Sequence, residues 1–388
     1  MPLIDLIAGA RPNFVKVAAL VQALDRHRDS GGGLRYRVVH TGQHYDVAMS
    51  GDFFSQLGIP PPAINLGAGS GSQAEQTGAI MVGYEKLLMA SPCDLCLVVG
   101  DVNSTLACAI TARKMATPVA HVEAGIRSGD WRMPEEINRR VTDSISDWCF
   151  TTTPMASENL RRTGIEADRI FFVGNTMIDT LLTQMDRLRP PSFWLDENLH
   201  AKGYFVLTLH RPVNVDDPCR LAAWLRAVGE ATRGMPVIFP LHPRVEKRLA
   251  EAGPLPDHLR PVPAQAYLEF NYLVRHAKAV ITDSGGITEE TTVMGVPCMT
   301  LRDSTERPET VLVGTNELIG SQPEALAPAL DRLFQGNWKR GAVPELWDGQ
   351  AADRIVSVLA RLLAPNDLQP GAIQPALAGA GTLEGAGH

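Results

Sequence analysis

A turn of small and polar residues follows a short apolar segment in Ile281-Thr-Asp-Ser-Gly-Gly-Ile-Thr-Glu-Glu290, and a helix-like pattern begins directly after it. Gly285 and Gly286 let the backbone approach a ligand closely, and the first turn of a helix presents unpaired N–H groups to an anion. Glu289 and Glu290 follow in the first turns, where a carboxylate complements the helix dipole or accepts hydrogen bonds from sugar hydroxyls. This arrangement predicts a binding site for a nucleotide sugar.

Three further carboxylates lie at or just beyond the ends of strand-like segments. Asp101 follows the apolar run 95–99, Glu123 ends a second run, and Glu135 comes directly after Pro134, a residue suited to the first position of a helix. Burial at a strand end is costly for an unpaired carboxylate. Such burial can raise the pKa of the carboxyl group toward the range useful for general acid or base chemistry. Simpler roles stay open, with Asp101 as a helix cap and Glu135 as a surface acid.

Basic side chains also follow the predicted strands, and they are the local cations that an acidic protein would need to hold a diphosphate. The segment Gly9–Lys16 has one glycine where a dinucleotide fingerprint needs three, so it predicts no NAD site. Surface charges and a structural histidine remain alternatives, and we expect His242 to be a structural residue at the edge of the core. The candidate cations are Arg11, Lys16, His210, Arg211 and Arg307.

Composition excludes several classes of function. The chain has 388 residues, enough for two domains of roughly 150 residues each. Its net charge of −7, from 43 acidic and 36 basic residues, argues against binding nucleic acid or an anionic membrane surface. We see neither a membrane span nor a signal peptide and expect a cytoplasmic protein. The six cysteines are scattered, and the pair Cys93 and Cys96 lacks a second ligand pair, so no metal site is predicted.

Strand-like and helix-like segments alternate along the chain, and apolar strands between amphipathic helices predict parallel sheets covered on both faces. The predicted fold class is α/β, with two doubly wound Rossmann-like domains facing a cleft. We expect an N-terminal domain over 1–173, completed by a C-terminal helix at 349–363, a C-terminal domain over 174–348, and a disordered tail over 364–388. The predicted strands are 3–8, 35–40, 95–99, 119–122, 148–151, 169–173, 204–209, 236–241, 260–262, 279–283 and 297–301, and the helices between them are 14–28, 73–90, 104–116, 135–146, 155–163, 174–187, 219–233, 243–252, 267–276 and 287–295.

Taken together, the motifs resemble those of the non-hydrolysing UDP-N-acetylglucosamine 2-epimerases over roughly residues 3–363. The motifs that carry the resemblance are Gly9-Ala-Arg-Pro-Asn-Phe-Val-Lys16, Thr41-Gly-Gln-His-Tyr45, Gly100-Asp101, His121-Val-Glu-Ala-Gly-Ile-Arg127, Pro134-Glu-Glu-Ile-Asn-Arg139, Gly174-Asn-Thr-Met-Ile-Asp179, His210-Arg211, Thr282-Asp-Ser-Gly-Gly-Ile-Thr-Glu-Glu290 and Arg302-Asp-Ser-Thr-Glu-Arg-Pro308.

The resemblance implies a GT-B-like fold whose C-terminal domain binds UDP, and it implies reversible interconversion of UDP-GlcNAc and UDP-ManNAc without a cofactor or a metal. It also implies a homodimer that serves polysaccharide biosynthesis. Asp101, Glu123 and Glu135 would be the acid or base carboxylates, and His210 would face the departing diphosphate. The residues that would hold the nucleotide and the sugar are Arg11, Lys16, Gln265, Phe270, Ser284, Gly285, Gly286, Glu290 and Arg307.

Two features depart from the best-known bacterial pattern of that family. The loop between Arg127 and Pro134 is short, and the residues around Tyr45-Asp46 differ from the run that helps form an activator pocket. Activation by UDP-GlcNAc therefore stays an open question. Relatives of the Asn13-Phe14 type also include enzymes that act on UDP-2,3-diacetamido sugar acids, so the sugar stays open as well.

Three other functions fit parts of the pattern. A GT-B glycosyltransferase would share the fold and the UDP site, but it needs an acceptor groove and fewer converging carboxylates. A catalytically idle nucleotide-sugar-binding regulator would have no need of Asp101, Glu123, Glu135 and His210 together. A hydrolysing epimerase would release free ManNAc and UDP, and the segment Arg11-Pro-Asn13 is closer to the non-hydrolysing type.

Overall fold

The computed structural model describes residues 1–42 and 56–364, except for the side chains of Arg11 and Pro12. Strands and helices alternate through the first half of the chain, as the sequence predicts. Its strands are β1 (Leu3–Ala8), β2 (Arg35–His40), β3 (Ile64–Asn65), β4 (Leu95–Val99), β5 (Val119–Ala124), β6 (Trp148–Thr151) and β7 (Ile170–Phe172), and its helices are α1 (Arg11–Asp29), α2 (Gln73–Ala90), α3 (Asn103–Lys114), α4 (Pro134–Ile145), α5 (Pro154–Arg162) and α6 (Thr176–Gln184).

The second half repeats this alternation and ends in a helix that returns to the first half. Its strands are β8 (Phe205–Thr208), β9 (Val237–Pro240), β10 (Leu259–Val262), β11 (Ala279–Thr282), β12 (Cys298–Thr300) and β13 (Asn316–Leu318), and its helices are α7 (Pro212–Val215), α8 (Pro218–Ala231), α9 (Pro243–Leu249), α10 (Tyr267–His276), α11 (Gly285–Met294), α12 (Pro308–Leu312), α13 (Leu326–Phe334) and α14 (Ala351–Leu362).

The strands form two parallel sheets of the same topology. The order is β3-β2-β1-β4-β5-β6-β7 in the first sheet and β10-β9-β8-β11-β12-β13 in the second. Counted within each half, both sheets follow the doubly wound order, in which a ligand crevice opens where the order reverses. That point lies beside the carboxyl ends of β1 and β4 in one sheet and of β8 and β11 in the other. The prediction of a doubly wound α/β fold is confirmed.

Apolar strands are covered on both faces, which is why unbroken apolar runs mark them in the sequence. Every residue of β4 is buried. Leu95, Leu97 and Val99 pack in one hydrophobic cluster, and Cys96 and Val98 pack in another. Since successive side chains of a strand point to opposite faces, these two clusters are the two helix-covered faces of the sheet.

Helix α14 packs against α1 in the first half of the molecule. Ile355 and Leu359 are fully buried in the same hydrophobic cluster as Phe14, and the Asp353 carboxylate pairs with Arg26, with Nη2 and Oδ1 2.8 Å apart. We propose from these contacts that the domains follow the expected boundaries, 1–173 with 349–363 and 174–348. The expected tail, 364–388, lies outside the described residues apart from Ala364.

The sequence prediction missed β3, β13, α7, α12 and α13. Both strands are only two or three residues long and include polar residues such as Asn65 and Asn316, so no apolar periodicity marks them. Helix α13 carries Pro328 in its first turn, where the missing N–H costs no hydrogen bond, but the same residue is a helix breaker in sequence analysis.

Within the described ranges, none of the helices combines the length and the apolar character that crossing a lipid bilayer requires.

Replacing Leu359 with alanine should lower the free energy of unfolding by about 2–5 kcal/mol, because a fully buried side chain is lost and a cavity remains. Urea unfolding followed by circular dichroism measures this change. Leu195→Ala is the control, since this leucine is 84% exposed and its loss should change the free energy of unfolding by less than about 0.5 kcal/mol. A small effect in both variants would contradict the packing of α14 in the core.

Candidate active site

Glu123, near the end of β5, is held between two cations that come from different halves of the molecule. Its φ is +70°, and the register between β5 and β6 shifts between Val122 and Ala124, so the strand bulges at this residue. One carboxylate oxygen pairs with Lys16 of α1, and the other lies 3.3 Å from Arg307 Nη2. All three side chains are buried.

The two cations determine the charge state of Glu123. Burial alone would raise the pKa of this carboxyl, but Lys16 and Arg307 outweigh burial and lower the pKa. The raised pKa that an unpaired carboxylate could have at this position is therefore not found, because Glu123 is paired. Sequence analysis recognised the burial but not the pairing, because Arg307 lies 184 residues further along the chain. Glu123 is a carboxylate that can accept a proton at neutral pH.

Asp101 lies beside this cluster. It follows a turn at Gly100, whose φ is +72°, and a Cβ on Gly100 would come within 3.3 Å of both the Glu123 carboxylate and the Lys16 ammonium group. The guanidinium of Arg139 donates to Asp101 Oδ2 from Nη2 at 2.6 Å and from Nε at 3.0 Å. Burial would raise the pKa of Asp101, but Arg139 and Lys16 lower it. The N-cap of α3 is Val102, so Asp101 is an ion-paired carboxylate and not the cap of that helix.

Glu136 holds the loop that leads into α4. Its fully buried carboxylate accepts the N–H of Ser128 at 2.8 Å and pairs with Arg139 and Arg140 at 3.1 and 2.9 Å. The neighbouring Glu135 is half-buried and interacts electrostatically with Arg211 of the second half. Glu135 therefore lies at the junction between the two halves.

In the second half, Asp283 fixes the segment that follows β8. Its carboxylate accepts the backbone N–H of His210 at 3.1 Å and that of Arg211 at 3.0 Å, and it lies 2.7 Å from His210 Nδ1. Burial would raise the pKa of Asp283, but the hydrogen bond from His210 and the His210 charge lower it. The His210 side chain remains 41% exposed, so its ring is oriented through Nδ1 and stays accessible to a ligand.

The start of α11 is a candidate anion site. A Cβ on Gly285 would lie 2.4 Å from Glu306 Oε1, so a larger residue there would have to displace the Glu306 carboxylate. Glu306 pairs with Arg302 at 2.6 Å, and Arg211 lies 3.8 Å from its other oxygen. Ser284, at the N-cap, makes no side-chain cap hydrogen bond. The positive end of the helix dipole and the guanidinium groups of Arg211 and Arg302 favour a bound anion, whereas the Glu306 carboxylate opposes it.

Two carboxyl groups further along α11 have raised pKa values. Burial raises the pKa of Glu289 to about 8, because Arg307, whose Nε lies 3.2 Å away, shares its charge with Glu123. Burial likewise raises the pKa of Glu290 to about 7, although Asn271 donates a hydrogen bond to it at 3.3 Å. Both groups hold protons close to neutral pH and can donate hydrogen bonds as well as accept them.

The UDP-N-acetylglucosamine 2-epimerase family model matches residues 26–360. The chain belongs to this family. A UDP-N-acetylglucosamine 2-epimerase of Methanocaldococcus jannaschii is 40% identical over 374 residues, with 92% of this chain and 98% of the relative covered. A UDP-2,3-diacetamido-2,3-dideoxy-D-glucuronate 2-epimerase of Pseudomonas aeruginosa is 38% identical over 359 residues, with 92% of this chain and 99% of the relative covered.

Solved structures of family members have the same GT-B-like fold. The crystal structure of the M. jannaschii UDP-GlcNAc 2-epimerase in complex with UDP-GlcNAc and UDP matches with a TM-score of 0.82 at 39% identity, covering 92% of this chain and 99% of that chain. The family and the fold predicted from the sequence motifs are therefore confirmed.

In this family member, most of the predicted site residues lie at the junction of the two halves or on α11. Gln265 donates to the Pro263 carbonyl at 2.7 Å, and Phe270 packs against the core of the second half. The side chain of Arg11 and residues Tyr45-Asp46 lie outside the described part. The predicted residues that lie at the junction or on and just before α11 are Lys16, Asp101, Glu123, Glu135, His210, Ser284, Gly285, Gly286, Glu290 and Arg307. Their roles stay predictions.

Several interacting residues were not among the predicted site residues. Arg139 lies four residues after Glu135 and three after Glu136, and on a helix this spacing predicts an ion pair. The contact of Asn175 could not be predicted from sequence spacing, because it donates to Glu289 Oε1 at 2.7 Å across 114 residues of sequence. Further residues of this kind include Asp283, Arg302 and Glu306.

Glu290→Gln should gain stability relative to the wild type as the pH rises from about 4.5 to about 7. The folded wild type keeps the Glu290 proton up to about pH 7, whereas the unfolded chain loses it near pH 4.5. The contribution of Glu290 to the free energy of unfolding is therefore full below pH 4.5 and falls by roughly 3 kcal/mol across this window. Denaturant unfolding at several pH values measures it.

Glu136→Gln is the matched control and should show the opposite trend. Burial would raise the pKa of Glu136, but its hydrogen bonds with Ser128 and Arg140 lower it. Its stabilising contribution is present above the unfolded pKa and is lost as the pH falls. The same trend in both variants would contradict the assigned pKa directions.

Proposed function

We propose that this protein reversibly interconverts UDP-N-acetylglucosamine and UDP-N-acetylmannosamine by inverting C2 of the hexose. The observation that carries the proposal is the ionised carboxylate of Glu123, held between Lys16 and Arg307 with Asp101 beside it, at the junction of two Rossmann-like halves. The anion site at the start of α11 and the relatives named for this activity support the same substrate class.

The chemistry needs both a base and a stabilised leaving group. The C2 proton has no neighbouring carbonyl, so its simple abstraction is too costly. We infer that the C1–O bond breaks as the proton leaves, the electron pair departs with UDP, and a C1=C2 double bond forms to give 2-acetamidoglucal. Delivery of a proton to the other face of C2 and re-addition of UDP at C1 complete the inversion. Both half-reactions balance without a redox partner.

Residues of both halves contribute to proton transfer and to stabilising the leaving UDP. Glu123, Asp101 and Glu135 supply the carboxylates that take and return the C2 proton. His210 and the start of α11 face the diphosphate and stabilise the charge that develops on UDP as it leaves. A closed junction would keep water away from the glycal and retain both fragments.

A UDP-2,3-diacetamido sugar acid is the second candidate substrate, because the P. aeruginosa relative of 38% identity is named for one. Its additional carboxylate would need a cation. Within the described site, the guanidinium groups of Arg139, Arg302 and Arg307 already pair with carboxylates, so a sugar carboxylate would have to compete for them or be met by Arg211.

We also propose that the protein is a cytoplasmic homodimer. The dimer is supported by helix α2 of the first half. Its apolar residues Val82 and Met89 are 52% and 71% exposed and would be covered by a second copy.

Incubation with UDP-GlcNAc alone in heavy water should produce UDP-ManNAc with deuterium at C2, because the removed proton exchanges with solvent before it returns. Proton NMR measures both the new sugar and the lost C2 signal. Free ManNAc should not accumulate, since UDP is re-added within the site.

Three results would contradict this proposal. Accumulation of free ManNAc would indicate the hydrolysing reaction, and epimerisation without deuterium at C2 would exclude exchange of the abstracted proton. No reaction with UDP-GlcNAc, together with epimerisation of a UDP-2,3-diacetamido sugar acid, would establish the second candidate. A sample without protein is the control.

A further inference from the structure

His121 is fully buried in the middle of β5, two residues before Glu123, and both of its ring nitrogens have partners. Nδ1 lies 2.7 Å from Asp143 Oδ1 of α4, and Nε2 lies 2.8 Å from the carbonyl oxygen of Gly100. Complete burial prevents the ring from contacting a substrate directly.

Both of these partners accept hydrogen bonds. A backbone carbonyl has no proton to donate, so Nε2 must carry one. The Asp143 carboxylate already accepts the N–H of Gly125 at 3.2 Å and pairs with Arg127 at 2.6 Å on Oδ2. With these donors on Oδ2, the third hydrogen bond to Asp143, on Oδ1, is completed by a proton on His121 Nδ1. The hydrogen-bond geometry therefore points to protons on both ring nitrogens.

The surroundings can hold this buried cation. Asp143 on α4 carries the compensating charge, while Arg127 approaches it from the loop after β5. On the β6 side, His121 is paired in register with Cys149, whose thiol is uncharged because burial raises its pKa well above neutral pH.

We propose that His121 is a doubly protonated positioning residue that joins the segments carrying the three candidate carboxylates. Through Nε2 it fixes Gly100, and hence Asp101, against the strand that carries Glu123. Through Asp143 it ties that strand to α4, the helix that carries Glu135. Gly100 is also fixed by its own N–H, which donates to Val122 of β5 at 2.9 Å.

The imidazolium can be tested in the wild-type protein without any variant. The chain contains ten histidines, so 15N-labelled histidine and through-bond assignment to residue 121 are needed. At neutral pH both ring nitrogens of His121 should give the signals of protonated nitrogens. An unprotonated ring nitrogen at neutral pH would overturn the inference.

Asp143→Asn tests the positioning role, because it keeps the shape of the side chain and removes its charge. We expect kcat for UDP-GlcNAc to fall by about tenfold or more with KM within about twofold, and the His121 signals to lose their doubly protonated signature. Unchanged kcat in folded Asp143→Asn would overturn the positioning role.

His258→Gln is the matched control, since this half-buried histidine also bonds a backbone carbonyl, that of Gly229 at 3.0 Å, but in the second half. Its kcat should equal that of the wild type. The activity measurement rests on the proposed function. If the wild type does not epimerise UDP-GlcNAc, the proposed function fails, whereas the nitrogen signals still decide whether His121 is an imidazolium.

Discussion

The carboxylate of Glu123 has to stay paired, and this requirement determines how the two halves of the molecule meet. Lys16 reaches it from α1 of the first half, and Arg307 reaches it from the residue before α12 in the second half. Removing one partner from a buried ion pair typically costs about 3–5 kcal/mol. The three groups therefore hold α1, the bulge of β5 and the start of α12 together around one point.

Around that point, the structure separates two kinds of carboxyl group. Glu123 and Asp101, at the ends of β5 and β4, have lowered pKa values because cations outweigh their burial. Glu289 and Glu290, on α11, have raised pKa values because burial outweighs their partners. Environments that push carboxyl pKa values apart are a common basis of acid–base chemistry at neutral pH. Glu123 and Asp101 are thus ionised acceptors, whereas Glu289 and Glu290 hold protons close to neutral pH.

The sequence predicted most of the fold because the strands are buried on both faces and the helices on one. The bounds of β1, β4 and α2 agree with the prediction, and the missed strands β3 and β13 are too short and too polar to show a pattern. The positions of the site residues at strand ends also followed from topology, since parallel strands place their carboxyl ends at one edge of a sheet.

The electrostatics of the site could not be predicted in the same way. The direction of a pKa shift depends on which charges meet in space, and those of Glu123 come from residues 16 and 307. The same applies to Glu289, whose hydrogen bond from Asn175 spans 114 residues of sequence. Burial can be inferred from the apolar neighbours of a residue, but ion-pair partners that are distant in sequence cannot.

We propose that the paired carboxylate of Glu123 does the chemistry while other groups hold UDP. The decisive measurements are turnover of UDP-GlcNAc and calorimetric binding of UDP by Glu123→Gln. Asp179→Asn is the matched control, because Asp179 is also a buried carboxylate but bonds the start of α14, with Oδ2 2.7 Å from the N–H of Ala352. We expect Glu123→Gln to lose turnover and to bind UDP like the wild type, while the control keeps both. Retained turnover, or loss of UDP binding in Glu123→Gln alone, would contradict it.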